Sequence, residues 1–132
     1  MAVIQNSKQR DAIKQFLKTT DTHPTAETVY ENIKTLYPNI SLGTVYRNLN
    51  LLADLGEAIK ITTPLGGDRF DGRTAPHYHF CCTHCGNVID LDLKELNFVN
   101  EEAGKNFDGI IESHSMMFYG TCPACMKKII KI

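Results

Sequence analysis

Net charge is what this sequence has least of. Fifteen acidic residues nearly cancel fourteen basic ones, leaving −1 over 132 residues. No global positive field advertises nucleic-acid binding, so any DNA contact must come from a local basic face, such as one around Lys8, Arg47 and Lys60. Long apolar runs are also missing. Nothing approaches the roughly 20 residues of a membrane span, and Met1–Arg10 lacks the apolar core of a signal peptide. The expectation is a cytoplasmic chain with no membrane partner, in a compartment that keeps thiols reduced. Low-complexity segments are absent. Disorder is excluded as well, because 42% hydrophobic and 22% charged residues are ordinary for a globular protein. The length suits one compact domain or two small ones sharing a core.

What the chain does have is cysteine, and in a reducing compartment five cysteines point to metal or redox chemistry before disulfides. Four fall at CxxC spacing, Cys82/Cys85 and Cys122/Cys125. Each pair can turn two thiolates onto one ion, and two pairs complete the tetrahedral sulfur cage that Zn²⁺ favours in structural sites. Gly86 and Pro123 are turn residues of the sort such knuckles need. Cys81 lacks the spacing and is expected to pack inward, since adjacent strand residues face opposite ways.

Apolar periodicity predicts a helix over Ser7–Lys18. A second runs from a cap at Thr25 to about Leu36, with Val29, Ile33 and Leu36 in register. A third, capped by Ser41 and stopped by Gly56, carries Val45, Leu49 and Leu52 inward. Its outward positions are Gly43, Tyr46, Arg47 and Asn50, which make either a solvated polar face or a DNA-reading one. Ala58–Thr62 and Arg69–Asp71 flank a Pro64–Gly67 turn, as in a hairpin. Three helices and a hairpin describe a winged helix. Gly72–Pro76 looks like a hinge. Beyond it, strands are expected at Tyr78–Cys82, Asn87–Leu91 and Ile110–Tyr119, with a helix over Leu93–Phe107 laid on a small antiparallel sheet. The fold class is α+β: a winged-helix domain over 1–71, a hinge over 72–76, and a small α/β domain over 77–132.

His77 and His79 lie two apart, so a strand would put both imidazoles on one face. Asp90 falls within cross-strand reach, and Asp71 ends the wing. Each is ambiguous when taken alone. His23, before a proline in a loop, reads as solvent-exposed, and Asp71 and Asp90 read as turn or cap acids.

Taken together, the positions resemble the ferric uptake regulator family over nearly the whole chain. The resemblance rests on His23-Pro24-Thr25-Ala26, Thr44-Val45-Tyr46-Arg47-Asn48-Leu49, Arg69-Phe70-Asp71, His77-Tyr78-His79, Cys82 with Cys85-Gly86, Asp90, and Tyr119-Gly120 with Cys122 and Cys125. It implies a homodimeric, metal-dependent transcriptional repressor that binds double-stranded DNA. A symmetric dimer in turn implies an inverted-repeat operator. Cys82, Cys85, Cys122 and Cys125 would hold structural zinc. His23, Asp71, His77, His79 and Asp90 would form a regulatory site for Fe²⁺ or Mn²⁺, and Tyr46, Arg47 and Asn50 would read DNA. An aspartate rather than a glutamate at position 71 is similar to the peroxide-responsive branch, in which His23 or His77 would be the oxidation-sensitive residue. A set of nitrogen and oxygen donors suits Fe²⁺ or Mn²⁺ and thiolates suit Zn²⁺, although Zn²⁺ binds most such sites more tightly and availability must decide. Where some relatives build a further metal site, this chain has Pro76, Tyr78 and Asn97, leaving His114 as the one plausible ligand, so no third site is expected. His84 is expected to be exposed.

Three rivals remain. A plain iron or manganese uptake regulator of the same family would share every residue above. The two CxxC pairs are similar to rubredoxin-like iron sites, but an electron carrier leaves the helical half and the His/Asp set unexplained. A zinc deaminase needs His-x-Glu with Pro-Cys-x-x-Cys. Here His77-Tyr78-His79 and Cys122-Pro123-Ala124-Cys125 meet neither motif, so no enzyme is expected.

Overall fold

The computed structural model describes residues 7–64, 67–75 and 77–130. The chain divides into two compact units, Met1–Thr74 and Ala75–Ile132.

The first unit holds α1 (Ser7–Thr19), α2 (Ala26–Ile33), α3 (Leu42–Asp54), β1 (Ile59–Thr62) and β2 (Asp68–Asp71). Two hydroxyls start two of these helices. Thr25 Oγ1 accepts the Thr28 N–H at 3.3 Å, and Ser41 Oγ accepts the Thr44 N–H at 3.1 Å. Each satisfies a first-turn donor that has no partner inside its helix. Gly56, at φ 74°, takes the left-handed conformation that closes α3. The hairpin is antiparallel, with Ile59 opposite Asp71 and Thr62 opposite Asp68. Ile13, Leu17, Val29, Ile33, Val45, Leu49, Leu52 and Phe70 are buried in one cluster, which sets the helices against the hairpin as a winged helix. Gly72 abuts α1 so closely that a Cβ there would lie 2.6 Å from the Leu17 carbonyl carbon, and only glycine fits.

α2 ends three residues before the expected Leu36, which is 67% exposed. The N–H groups of Leu36 and Tyr37 both return to the Ile33 carbonyl at 2.9 Å, tightening the chain into a turn ahead of Pro38. Leu65 and Gly66 of the expected wing turn, and Pro76 of the expected hinge, lie outside the described residues.

The second unit holds β3 (His79–Cys82), β4 (Val88–Asp90), α4 (Phe98–Gly104), β5 (Met117–Gly120) and α5 (Pro123–Ile130). Its sheet runs β4-β3-β5 and is mixed, not antiparallel as expected, because β5 pairs parallel to β3. A parallel neighbour needs a long crossover, and residues 91–116 supply it. Two further expectations need correcting. The helix expected over Leu93–Phe107 shrinks to α4, which buries no residue, so it is not laid on the sheet. The strand expected from Ile110 begins only at Met117. Ahead of β5, His114 turns to the side chains of Tyr78 and Asn100 instead of joining the sheet. No helix among the described residues is long and apolar enough to cross a membrane.

Candidate metal centres and nucleic-acid face

Four sulfurs converge in the second unit. Cys82 ends β3, Cys85 closes the turn after it, Cys122 follows β5, and Cys125 sits in the first turn of α5 behind Pro123, whose missing N–H costs nothing at that position. The Sγ atoms lie within 4.8 Å of one another, with Cys82–Cys125 at 3.8 Å and Cys85–Cys122 at 3.7 Å. Disulfide sulfurs would be about 2.05 Å apart. A tetrahedron of metal–sulfur bonds of about 2.3 Å has edges of about 3.8 Å, so the spacing fits a tetrahedral thiolate-bound ion. Gly86, at φ 77°, lets the first knuckle curl so that its N–H reaches the Cys82 carbonyl at 3.0 Å.

Backbone dipoles prepare this cluster for charge. Burial opposes ionisation of Cys82, but N–H groups of Cys85, Cys122 and His84 at 3.4–3.5 Å outweigh it and draw the thiol down to about 5. Cys125 is pushed up to about 12 by its hydrogen bond with Cys122 and by burial. The Cys82 thiolate thus forms readily while Cys125 resists ionisation, which a shared cation would relieve. Cys81 is buried and stands outside the cluster, on the other side of β3 from Cys82; His84 is exposed.

The nitrogen and oxygen donors fall into two groups, one in each unit. In the first, His23 is buried, contrary to its exposed appearance in sequence, and its Nε2 lies 3.3 Å from Asp71 Oδ2. Its loop is laced to β2: Arg69 donates to the His23 carbonyl at 3.2 Å, and Phe70 N–H to the Pro24 carbonyl at 3.0 Å. Asp71 Oδ1 accepts the Arg73 N–H at 2.8 Å, so it is both a turn acid and the partner of His23.

In the second unit, Asp90 Oδ1 meets His77 Nε2 at 3.1 Å and His79 Nε2 at 3.4 Å. The two rings stand 4.4 Å apart. Cross-strand pairing sets this up, because His79 lies opposite Asp90. His77 Nδ1 lies 2.7 Å from the Ala75 carbonyl, an oxygen that can only accept. In the neutral ring this places the proton on Nδ1 and leaves the Nε2 lone pair facing a carboxylate. Such an arrangement calls for a cation between the two, a proton or a metal ion.

The third group lies on the winged helix. Tyr46, Arg47 and Asn50 are exposed along one side of α3 while Val45, Leu49 and Leu52 are buried on the other. Each of these three side chains is already engaged within the unit. Tyr46 donates its hydroxyl proton to Glu27 Oε1 at 3.0 Å, an interaction that raises the phenol above its usual range. Arg47 donates to Thr44 Oγ1 at 2.9 Å, and Lys60 donates to Asn50 Oδ1 at 3.1 Å.

Residues 2–119 match the sequence pattern of the Ferric uptake regulator family. The chain belongs to that family. It is 36% identical over 127 residues to the peroxide-responsive repressor PerR of Staphylococcus aureus, covering 96% of this chain and 86% of that protein. The Campylobacter jejuni peroxide stress regulator superposes with a TM-score of 0.79 at 33% identity, covering 90% of each chain. The Helicobacter pylori ferric uptake regulator, described as having three functional metal binding sites, also gives 0.79, at 29% identity over 92% of this chain and 82% of its own. By family, this is a metal-responsive regulator and not an enzyme, and the rubredoxin-like alternative finds no support.

Within this ferric uptake regulator chain, sequence reasoning missed three features. α5 was hidden inside the second CxxC, although Pro123 at its first position was a signal for it. Asn100, which the sequence did not single out, meets His114, with Asn100 Oδ1 2.7 Å from His114 Nδ1. On its other side His114 Nε2 meets the hydroxyl of buried Tyr78, which also accepts the Leu96 N–H at 2.8 Å. Lys60 reaching Asn50 is a tertiary contact that no local pattern announces.

Proposed function

We propose that the chain is a cytoplasmic, homodimeric repressor that binds an inverted-repeat operator when metal-loaded and senses hydrogen peroxide through its own histidines. The observation that carries this reading is the pairing of imidazole with carboxylate in both units, His23 with Asp71 and His77 and His79 with Asp90. Cys82, Cys85, Cys122 and Cys125 would hold Zn²⁺ as a closed structural site with no position open for water. The five nitrogen and oxygen residues would together hold Fe²⁺ or Mn²⁺.

His23 and Asp71 belong to the winged-helix unit, and His77, His79 and Asp90 to the other. Ligands drawn from both would fix one relative orientation and favour the DNA-competent dimer. Moving such an equilibrium from mostly open to mostly closed needs on the order of 5 kcal/mol of differential affinity. Arg47 would contact guanine or phosphate, and the ring of Tyr46 a thymine methyl. The Tyr46 hydroxyl is occupied by Glu27, which favours the ring as the contact.

Fe²⁺ held by these residues would supply the electron that cleaves the O–O bond of peroxide. Overall, one oxygen atom of H₂O₂ would replace a ring C–H hydrogen of His23 or His77 as an oxo group and the other would leave as water, making that histidine a poorer ligand. The hold between the units would weaken and the operator would be released. Zinc-held thiolates in a closed cage react more slowly, which leaves histidine as the sensing residue. The test is peptide mass spectrometry on iron- and manganese-loaded protein after brief peroxide exposure. One added oxygen on His23 or His77 in the iron form alone is expected. Unmodified histidines with repression intact would leave a plain metal-responsive repressor.

A further inference from the structure

We infer that Lys60 is a specificity-determining residue. By drawing the amide oxygen of Asn50 toward the wing, it turns the NH₂ of Asn50 outward, so that α3 selects guanine or thymine over adenine at the operator position Asn50 faces. The inference rests on the proposed DNA-reading role of α3.

Lys60 Nζ lies 3.1 Å from Asn50 Oδ1. An ammonium has three N–H donors and no lone pair, so the amide atom turned toward it must be the oxygen, and the NH₂ faces away. Lys60 is held in place from its other side. Asp68 Oδ2 stands 3.4 Å from Nζ, and Asp68 Oδ1 accepts the Thr62 hydroxyl at 3.3 Å. The wing thus brings a donor to the outer face of α3.

An unconstrained asparagine reads adenine with both amide atoms, accepting from N6 and donating to N7. The oxygen keeps a second lone pair, but its bond to Lys60 turns it toward the wing, so the atom that Asn50 presents to a base edge is its NH₂. Against adenine, that NH₂ meets the N6 amino group, donor to donor. Against cytosine, the major-groove edge offers another amino group. Guanine presents O6 and N7, and thymine presents O4, all acceptors. Leaving a polar group unpaired at a contact is the larger cost, so the discrimination should reach roughly fivefold or more.

The test uses full-length manganese-loaded protein and a pool of duplexes randomised across the operator length. Asn50→Ala first identifies the position whose base preference Asn50 sets. Wild type is expected to favour guanine or thymine there over adenine. Lys60→Met, which keeps the length of the side chain but has no donor, is expected to shift that ratio toward adenine by roughly fivefold or more, with other positions unchanged. Loss of the Lys60 charge should lower affinity for all duplexes alike. Adenine preferred by wild type at that position, or a ratio unmoved in Lys60→Met, overturns the inference. If Asn50→Ala alters no position while Arg47→Ala does, this inference falls and α3 remains the reader. If neither alters any position, α3 is not the reader and both fall.

Discussion

The first unit closes its core with carbon, and the second closes much of its own with sulfur. In the winged helix, Phe70 and a set of aliphatic side chains from all three helices are buried together. Each contributes about 1.5–3 kcal/mol when removed from water. In the other unit, Cys82, Cys122 and Cys125 form a buried cluster with Phe80 and Ile89 packed against it. Apolar side chains there also remain outside, with Phe98 59%, Phe107 53% and Ile110 86% exposed. A four-thiolate zinc site contributes on the order of 10 kcal/mol, as much as the whole net stability of many small domains. One unit therefore stands on its own packing. The other would lean on the metal held by its four cysteines, and its exposed apolar side chains are candidates for burial in the proposed dimer.

This contrast can be broken most decisively at the sulfur cluster. Cys122→Ser should abolish zinc, dimerisation and operator binding together, while the helical content of the first unit survives. Gel filtration with metal analysis checks this, and an intact zinc-free dimer would overturn it. The converse change, Phe70→Ala, should cost about 3–5 kcal/mol in denaturant unfolding, since it empties the centre of the carbon core. Zinc content of the folded fraction should not move. A surface change should move neither unit's stability. Arg47→Ala is expected to weaken operator binding about 5- to 150-fold, the range of one good base or phosphate contact, with zinc and dimer intact. Unchanged affinity by gel shift would mean that α3 does not read DNA. Smallest of all should be Cys81→Ser, in which zinc content stays at the wild-type level; a loss would make Cys81 a ligand.

Legibility in the sequence follows the same divide. α1, α3 and the hairpin could be read because their apolar residues repeat at the period of the element and Thr25, Ser41 and Gly56 mark helix ends. The CxxC pairs were legible because metal geometry imposes local spacing. In the second unit the crossover misled. Leu93–Phe107 carries helical periodicity, yet Leu96 and Val99 of that face are only half-buried and Ala103 is exposed, and periodicity without a full partner surface does not hold a long helix. The burial of His23 was also unreadable from its neighbours. It depends on Arg69 and Phe70, nearly fifty positions away, binding the carbonyls of His23 itself and of Pro24.

His23 adopts φ 51°, in the left-handed region that side chains other than glycine seldom occupy. Histidine, asparagine and aspartate tolerate that region better than most residues, and branched side chains tolerate it worst. The backbone here therefore restricts which replacements can arise by descent. A lineage that no longer needed the imidazole could exchange it for asparagine and keep the loop, because the turn would be satisfied either way. Exchange for valine or isoleucine would cost the loop itself. If His23 serves the proposed regulatory site, responsiveness at this position can be lost by drift without loss of the fold, leaving a well-folded member of the family with one donor fewer.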